Sequence, residues 1–261
     1  MRTLAALSLV MIVTCFALAA DAPPQASRDA KVTPPIRVLL TTGGHAFERK
    51  EYFAMWDSLP GVKYTECVLP KDADMLKPGL EKQHDVVAMY DMTPKFTAEQ
   101  EKNFVELIQS GMPLVSLHHN LCSRDDSAEF HQIIGGQYVH KPTTIDGKLY
   151  EPCTYKHSQQ MDVKVADPDS YITKGLSDFH IEDEAYHGFY VSPKVHVLLT
   201  VDHPLCGHDI CWTTEFGKAR VFYLMLGHDH VAWQNPAYPK LLLRGIQWAG
   251  KRETSAPARA E

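Results

Sequence analysis

The chain has 261 residues and no Cys-x-x-Cys pair, so the usual framework of a cysteine zinc site is missing. No run of lysine and arginine is interleaved with aromatics, and the formal charge is −6, which argues against a nucleic-acid partner. Neither Gly-x-Ser-x-Gly nor Gly-x-Cys-x-Gly occurs, so no serine or cysteine stands on a nucleophile elbow. The interior shows no internal repeat and no second compositional regime. These absences leave an ordinary α/β-sized domain whose chemistry must come from other side chains.

The N-terminus reads as a targeting segment. Arg2 precedes an apolar stretch from Leu4 to Ala20, and Ala17-Leu18-Ala19 fits a cleavage site, so residues 1–20 are expected to be a secretory signal peptide. The stretch is short for a membrane span. Export implies a secreted or periplasmic protein with no membrane partner once the signal is removed, and loss of Arg2 takes the charge from −6 to −7. Residues 21–35, with Pro23-Pro24 and Pro34-Pro35, read as a Pro/Ala-rich tether. Residues 36–252 form one expected domain, and residues 253–261 a polar tail. Cys67, Cys122, Cys153, Cys206 and Cys211 remain after processing. An odd number excludes complete internal pairing, and Cys206 with Cys211 is the pair suited to a small disulfide loop.

Histidine is what the chain has in quantity: fourteen residues, several placed where strands should end. His45 follows the apolar run from Ile36 to Thr42 and Gly43-Gly44. His118 and His119 close Pro113 to Leu117, and His228 and His230 close Val221 to Gly227. Short Val- and Leu-rich runs of this kind are buried parallel strands. Between them lie a helix from Glu48 to Leu59 and another opened by the capping box Thr97-Ala98-Glu99-Gln100 and closed by Gly111. The order β-α-β-β-α-β predicts a doubly wound, mostly parallel sheet. Strand candidates at 161–165, 195–201, 210–216 and 219–226 predict an antiparallel extension. Ligands of such sheets bind beyond the carboxyl ends of the strands, so three strands deliver imidazoles to one edge.

The polar segment from His180 to His187 adds carboxylates. If it is extended, alternation puts His180, Glu182, Glu184 and Tyr186 on one face and Asp183 with His187 on the other. The expected inward carboxylate is Glu184. The pair Asp125-Asp126 reads as a helix start, and His84, His131, His140, His157, His196, His203 and His208 read as solvated surface residues.

Taken in order, Gly44-His45, Asp85-Val86-Val87, Pro113 to His118, Asp183-Glu184-Ala185-Tyr186, Trp212 to Tyr223, Leu226-Gly227-His228 and Ile246 to Ala249 resemble the ThuA-like proteins, named for trehalose utilisation. The resemblance covers about Ile36 to Gly250 and implies a flavodoxin-like, class I glutamine amidotransferase-like fold. It also implies a small-molecule carbohydrate substrate. Two features depart from the family pattern: Ser116 stands where glycine is usual, and the continuation His119-Asn120-Leu121-Cys122 is untypical. Because Ser116-Leu117-His118-His119-Asn120 occupies the elbow region, glutamine hydrolysis is not expected.

The residues and the resemblance together suggest a divalent metal held by His45, His118, Glu184 and His228, with zinc the first choice for such a set. Tyr186, His187 and His230 are the candidate acid/base groups, and His119 and Trp233 the candidate substrate contacts. A metal-assisted lyase or isomerase acting on a sugar or keto-sugar is the leading reading. A metal-dependent glycoside hydrolase and a non-catalytic sugar-binding module are the rivals.

Overall fold

The computed structural model describes residues 34–92 and 95–253. The expected signal peptide lies outside the described residues, as do all but the ends of the expected tether and tail. β1 (Ile36–Thr42) buries every residue except Arg37, the signature of a strand covered on both faces. It is followed by α1 (Arg49–Asp57), β2 (Val62–Val68) and β3 (Val86–Met89), whose four residues are all buried. α2 (Ala98–Ser110) starts in the expected capping box: Gln100 N–H donates to Thr97 Oγ1, and Thr97 N–H donates to the Gln100 side chain. Gly111 ends it, and β4 (Leu114–Leu117) follows.

The second half contains α3 (Ala128–Ile134), β5 (Gly136–Gln137), β6 (Thr143–Ile145), β7 (Lys148–Tyr150), β8 (Thr154–Val165) and β9 (Phe179–His187). It continues through β10 (Tyr190–Val191), β11 (His196–Val201), β12 (Asp209–Phe216) and β13 (Ala219–Leu224), then α4 (His230–Gln234) and α5 (Ala237–Ala249). No described helix is long and apolar enough to cross a membrane.

Nine strands make one sheet in the order β2-β1-β3-β4-β13-β12-β11-β8-β9. The first five are parallel, and the last four continue the sheet antiparallel. This is the doubly wound sheet with antiparallel extension that the strand pattern predicts. The extension is not flat. At about 4.8 Å per strand, β13 and β9 would stand about 19 Å apart, yet His228, just past β13, touches Glu184 of β9 at 3.1 Å. The antiparallel part therefore curls back over the carboxyl edge of the parallel part. Its last strand is covered on the outer side, where Gly207 N–H donates to Tyr186 O at 2.7 Å and Asn235 Nδ2 donates to His180 O at 2.8 Å.

The register of β8 against β9 contains one irregularity that bears on function. Lys156 pairs with Ala185 and Gln159 with Asp183, so His157 and Ser158 together face Glu184. This is a β-bulge, with Ser158 in the left-handed region at φ 53°.

The core is aromatic: Trp56, Trp212, Tyr52, Tyr223, Phe104 and Phe222 are all under 2% exposed. Each such side chain contributes about 1.5–3 kcal/mol on burial. The five described cysteines are free. This corrects the expected Cys206–Cys211 loop. The β12 register buries Cys211 between Leu199 and Leu224, while the Cys206 thiol rests 3.8 Å from Met225 Sδ.

Candidate functional site

His118 opens the turn after β4 with φ 46°, a left-handed conformation that a non-glycine residue holds only when its surroundings enforce it. The turn is anchored by Asn120 Nδ2, which donates to Asp91 O at 3.0 Å, and by Ser123 Oγ, which donates to the same oxygen at 2.9 Å. Ser116 Oγ donates to Asn120 Oδ1 at 2.8 Å. The two departures from the family pattern, Ser116 and Asn120, are thus joined in one hydrogen bond.

His118 Nδ1 donates to Met225 O at 2.5 Å, which turns Nε2 toward the cluster. Around Nε2 stand Glu184 Oε2 at 3.0 Å, Tyr186 Oη at 2.9 Å and His228 Nδ1 at 3.2 Å. The donor atoms of His118, Glu184 and His228 lie within 4.8 Å of one another. His228 arrives on Gly227, whose φ of 113° and proximity to Tyr238, 2.5 Å from where a Cβ would stand, admit only glycine.

The electrostatics follow from this crowding. Burial alone would raise the Glu184 carboxyl, but hydrogen bonds and charge from His118 and His228 outweigh it and hold Glu184 far below the usual carboxylate range. Burial works against protonation of His228, but the Glu184 hydrogen bond and charge raise it above the ordinary imidazole value. His45 is lowered by burial and then by the neighbouring His228 and His118. Two imidazole nitrogens and one carboxylate oxygen converge on one point, where either a proton on an imidazole or a cation separates the facing lone pairs. Such a donor set fits a divalent metal of the zinc type.

A cavity of about 320 Å³ opens beside the cluster, lined among others by His45, His119, Tyr138, His140, Tyr155 and His157. His119 Nε2 donates to Tyr90 O at 2.8 Å, while its buried Nδ1 has no hydrogen-bond partner. Burial, then His118 and His45, hold His119 well below the ordinary value, so it is a neutral acceptor. Tyr155 is 57% exposed at the cavity wall.

The candidates from sequence fall into three groups. His118, Glu184, Tyr186 and His228 come together, and His119 lines the adjoining cavity. His45 stands at the rim, 4.8 Å from His119 and 6.1 Å from His228 between ring centroids, and is not one of the three converging donors. The remainder are corrections. His187 is exposed at the end of β9, on the opposite side from Glu184. His230 points to Glu48, its Nδ1 2.8 Å from Oε2, because it begins α4 on the outside. Trp233 is 3% exposed and packs against Tyr52, since Asp229 caps α4 and turns the ring inward.

Three residues outside the expected set matter. His157, read as surface, reaches Glu184 Oε1 at 3.1 Å from the bulge. His140 joins the cavity wall and is held by Asp125 at 3.1 Å, so Asp125 does not open α3; Ser127 caps it instead. Asp183, expected to point away, is buried and accepts three backbone N–H groups. Only the Asp-Glu adjacency hinted at the last.

A family model described as ThuA, trehalose utilisation, matches residues 38–249. Among solved structures, a protein described as ThuA-like from Parabacteroides merdae aligns with TM-score 0.70 and 20% identity, over 87% of this chain and 94% of the other. One so described from Bacteroides uniformis aligns with TM-score 0.64 and 18% identity, over 86% and 95%. A β-galactosidase from Bacillus circulans sp. alkalophilus shares the fold over 82% of this chain and 31% of its own, with TM-score 0.53 and 9% identity. No curated protein matches the chain.

Proposed function

Because this chain belongs to the ThuA family, described as one of trehalose utilisation, we propose that it is an exported enzyme acting on a sugar or its keto derivative by elimination or isomerisation. The reading places a divalent metal, zinc first, at His118, Glu184 and His228. The observation that carries it is the convergence of their three donor atoms at the carboxyl edge. A bound metal would supply Lewis acidity toward a carbonyl oxygen and so acidify the neighbouring C–H.

The protein's own groups have separable tasks. Glu184, kept ionised by its two histidines, supplies the negative charge that holds a cation. Tyr186, whose hydroxyl lies 2.9 Å from His118 Nε2, keeps its proton because burial raises it well above the usual phenol value; it is the candidate proton donor. His119 Nδ1 is suited to accept from a sugar hydroxyl, and the exposed Tyr155 ring to lie against a sugar face.

Metal analysis of protein purified without a histidine tag tests the reading. The wild type should carry about one divalent ion per chain, and Glu184→Gln should lose it while its circular dichroism is unchanged. A metal-free wild type that binds no added zinc overturns the site. Product analysis on intact glycosides against keto-glycosides then separates hydrolysis from elimination.

A further inference from the structure

The peptide that carries His228 is held at every polar atom. Gly227 N–H donates to Asp183 Oδ2 at 2.6 Å and His228 N–H to Asp183 Oδ1 at 3.0 Å. Gly227 O accepts from Trp233 Nε1 at 2.8 Å and from Tyr90 Oη at 3.1 Å. His228 O lies at 3.1 Å from the same Tyr90 hydroxyl. Asp183, Tyr90 and Trp233 are each no more than 3% exposed, so water does not compete for these bonds.

Asp183 does more than hold one loop. Its Oδ1 also accepts Glu184 N–H at 2.8 Å, so one carboxylate joins β9 to the segment between β13 and α4. Those are the elements that carry two of the three converging side chains. A buried carboxylate without a basic partner is tolerated only when several N–H groups satisfy it, and here three do. Tyr90 is itself braced by Tyr52, stacked at 4.3 Å, and Tyr52 by Trp233 at 5.0 Å.

We propose that Asp183, Tyr90 and Trp233 are positioning residues that fix His228 and Glu184 for a divalent cation, tuning its affinity without touching it. This rests on the metal reading of the site. Trp233, on this account, serves the site through its indole N–H rather than through its ring face.

The test uses the full mature chain and two probes, zinc titrated against a chelator and the visible spectrum of the cobalt(II)-loaded protein. Tyr90→Phe removes only a hydroxyl donor, and Trp233→Phe removes the indole N–H together with part of the ring while keeping an aromatic side chain against Tyr52. Each should weaken zinc binding about 10- to 100-fold and shift the cobalt bands, as loss of a group supporting a metal ligand does. Asp183→Asn should do so more strongly, because its amide N–H₂ would face a backbone N–H. Tyr64→Phe is the control: its hydroxyl donates to Asp57 rather than toward the site, and affinity and spectrum should be unchanged. If Asp183→Asn does not fold, the other two variants decide. Wild-type affinity and an unshifted spectrum in Trp233→Phe and Tyr90→Phe would overturn the proposal while leaving the metal reading intact. A wild type that binds neither ion overturns both.

Discussion

His131 and His228 start from the same ordinary imidazole value and move in opposite directions. His228 gains a proton-stabilising carboxylate. His131, buried in α3 with Nε2 unpartnered, is pushed down to about 4 chiefly by burial, against a hydrogen bond with the Ser123 backbone. The unfolded chain takes a proton near 6.5 that the folded protein resists. The stability tied to His131 is therefore whole above pH 6.5 and is lost as pH falls toward about 4. A depression of this size corresponds to about 3 kcal/mol at the acid end. Urea unfolding followed between pH 7 and pH 4 should show a steeper loss for wild type than for His131→Leu; parallel curves would refute the assignment.

At the level of elements, the bulge in β8 sets both His157 and Ser158 opposite Glu184. Deleting Ser158 should restore a regular ladder with His157 directly opposite Glu184 and on its face. The strands should still pair by circular dichroism, and a crystal structure of the variant should show the His157 imidazole still beside the Glu184 carboxylate. A bulge that re-forms one residue away would contradict this. The bulge also marks the limit of what sequence reading reaches. β1, β4 and β13 announce themselves as continuous apolar runs, and α2 by Thr97 and Gln100, because those signals are local. His157 and His140 read as solvated because the residues beside them are polar. Their place depends on the register between strands distant in the chain and on the partner Asp125. Trp233 lies in the core for a related reason: whether a ring after a strand faces the ligand or the core is decided by where Asp229 starts the helix.

For the whole molecule, export is the proposal most easily checked. Secreted by a bacterial host, the mature chain should begin near Ala20 or Asp21 by N-terminal sequencing; an intact Met1 in a membrane fraction would refute it. The curl of the extension has a consequence of another kind. Unpaired strand edges are templates on which other chains can add. In the large sheet one of the two edges, β9, already has Gly207 and Asn235 on its outer carbonyls. The other edge, β2, is held at its carboxyl end, where Val68 N–H donates to Asp72 Oδ2 and Val68 O accepts from Asp72 N–H, and among the described residues its earlier part is the longer open stretch. A sheet with two free edges can polymerise without end, each copy passing a free edge to the next, whereas a sheet with one can at most meet a second copy face to face across that edge and stop. By that reasoning strand addition at β2 would stop at a pair.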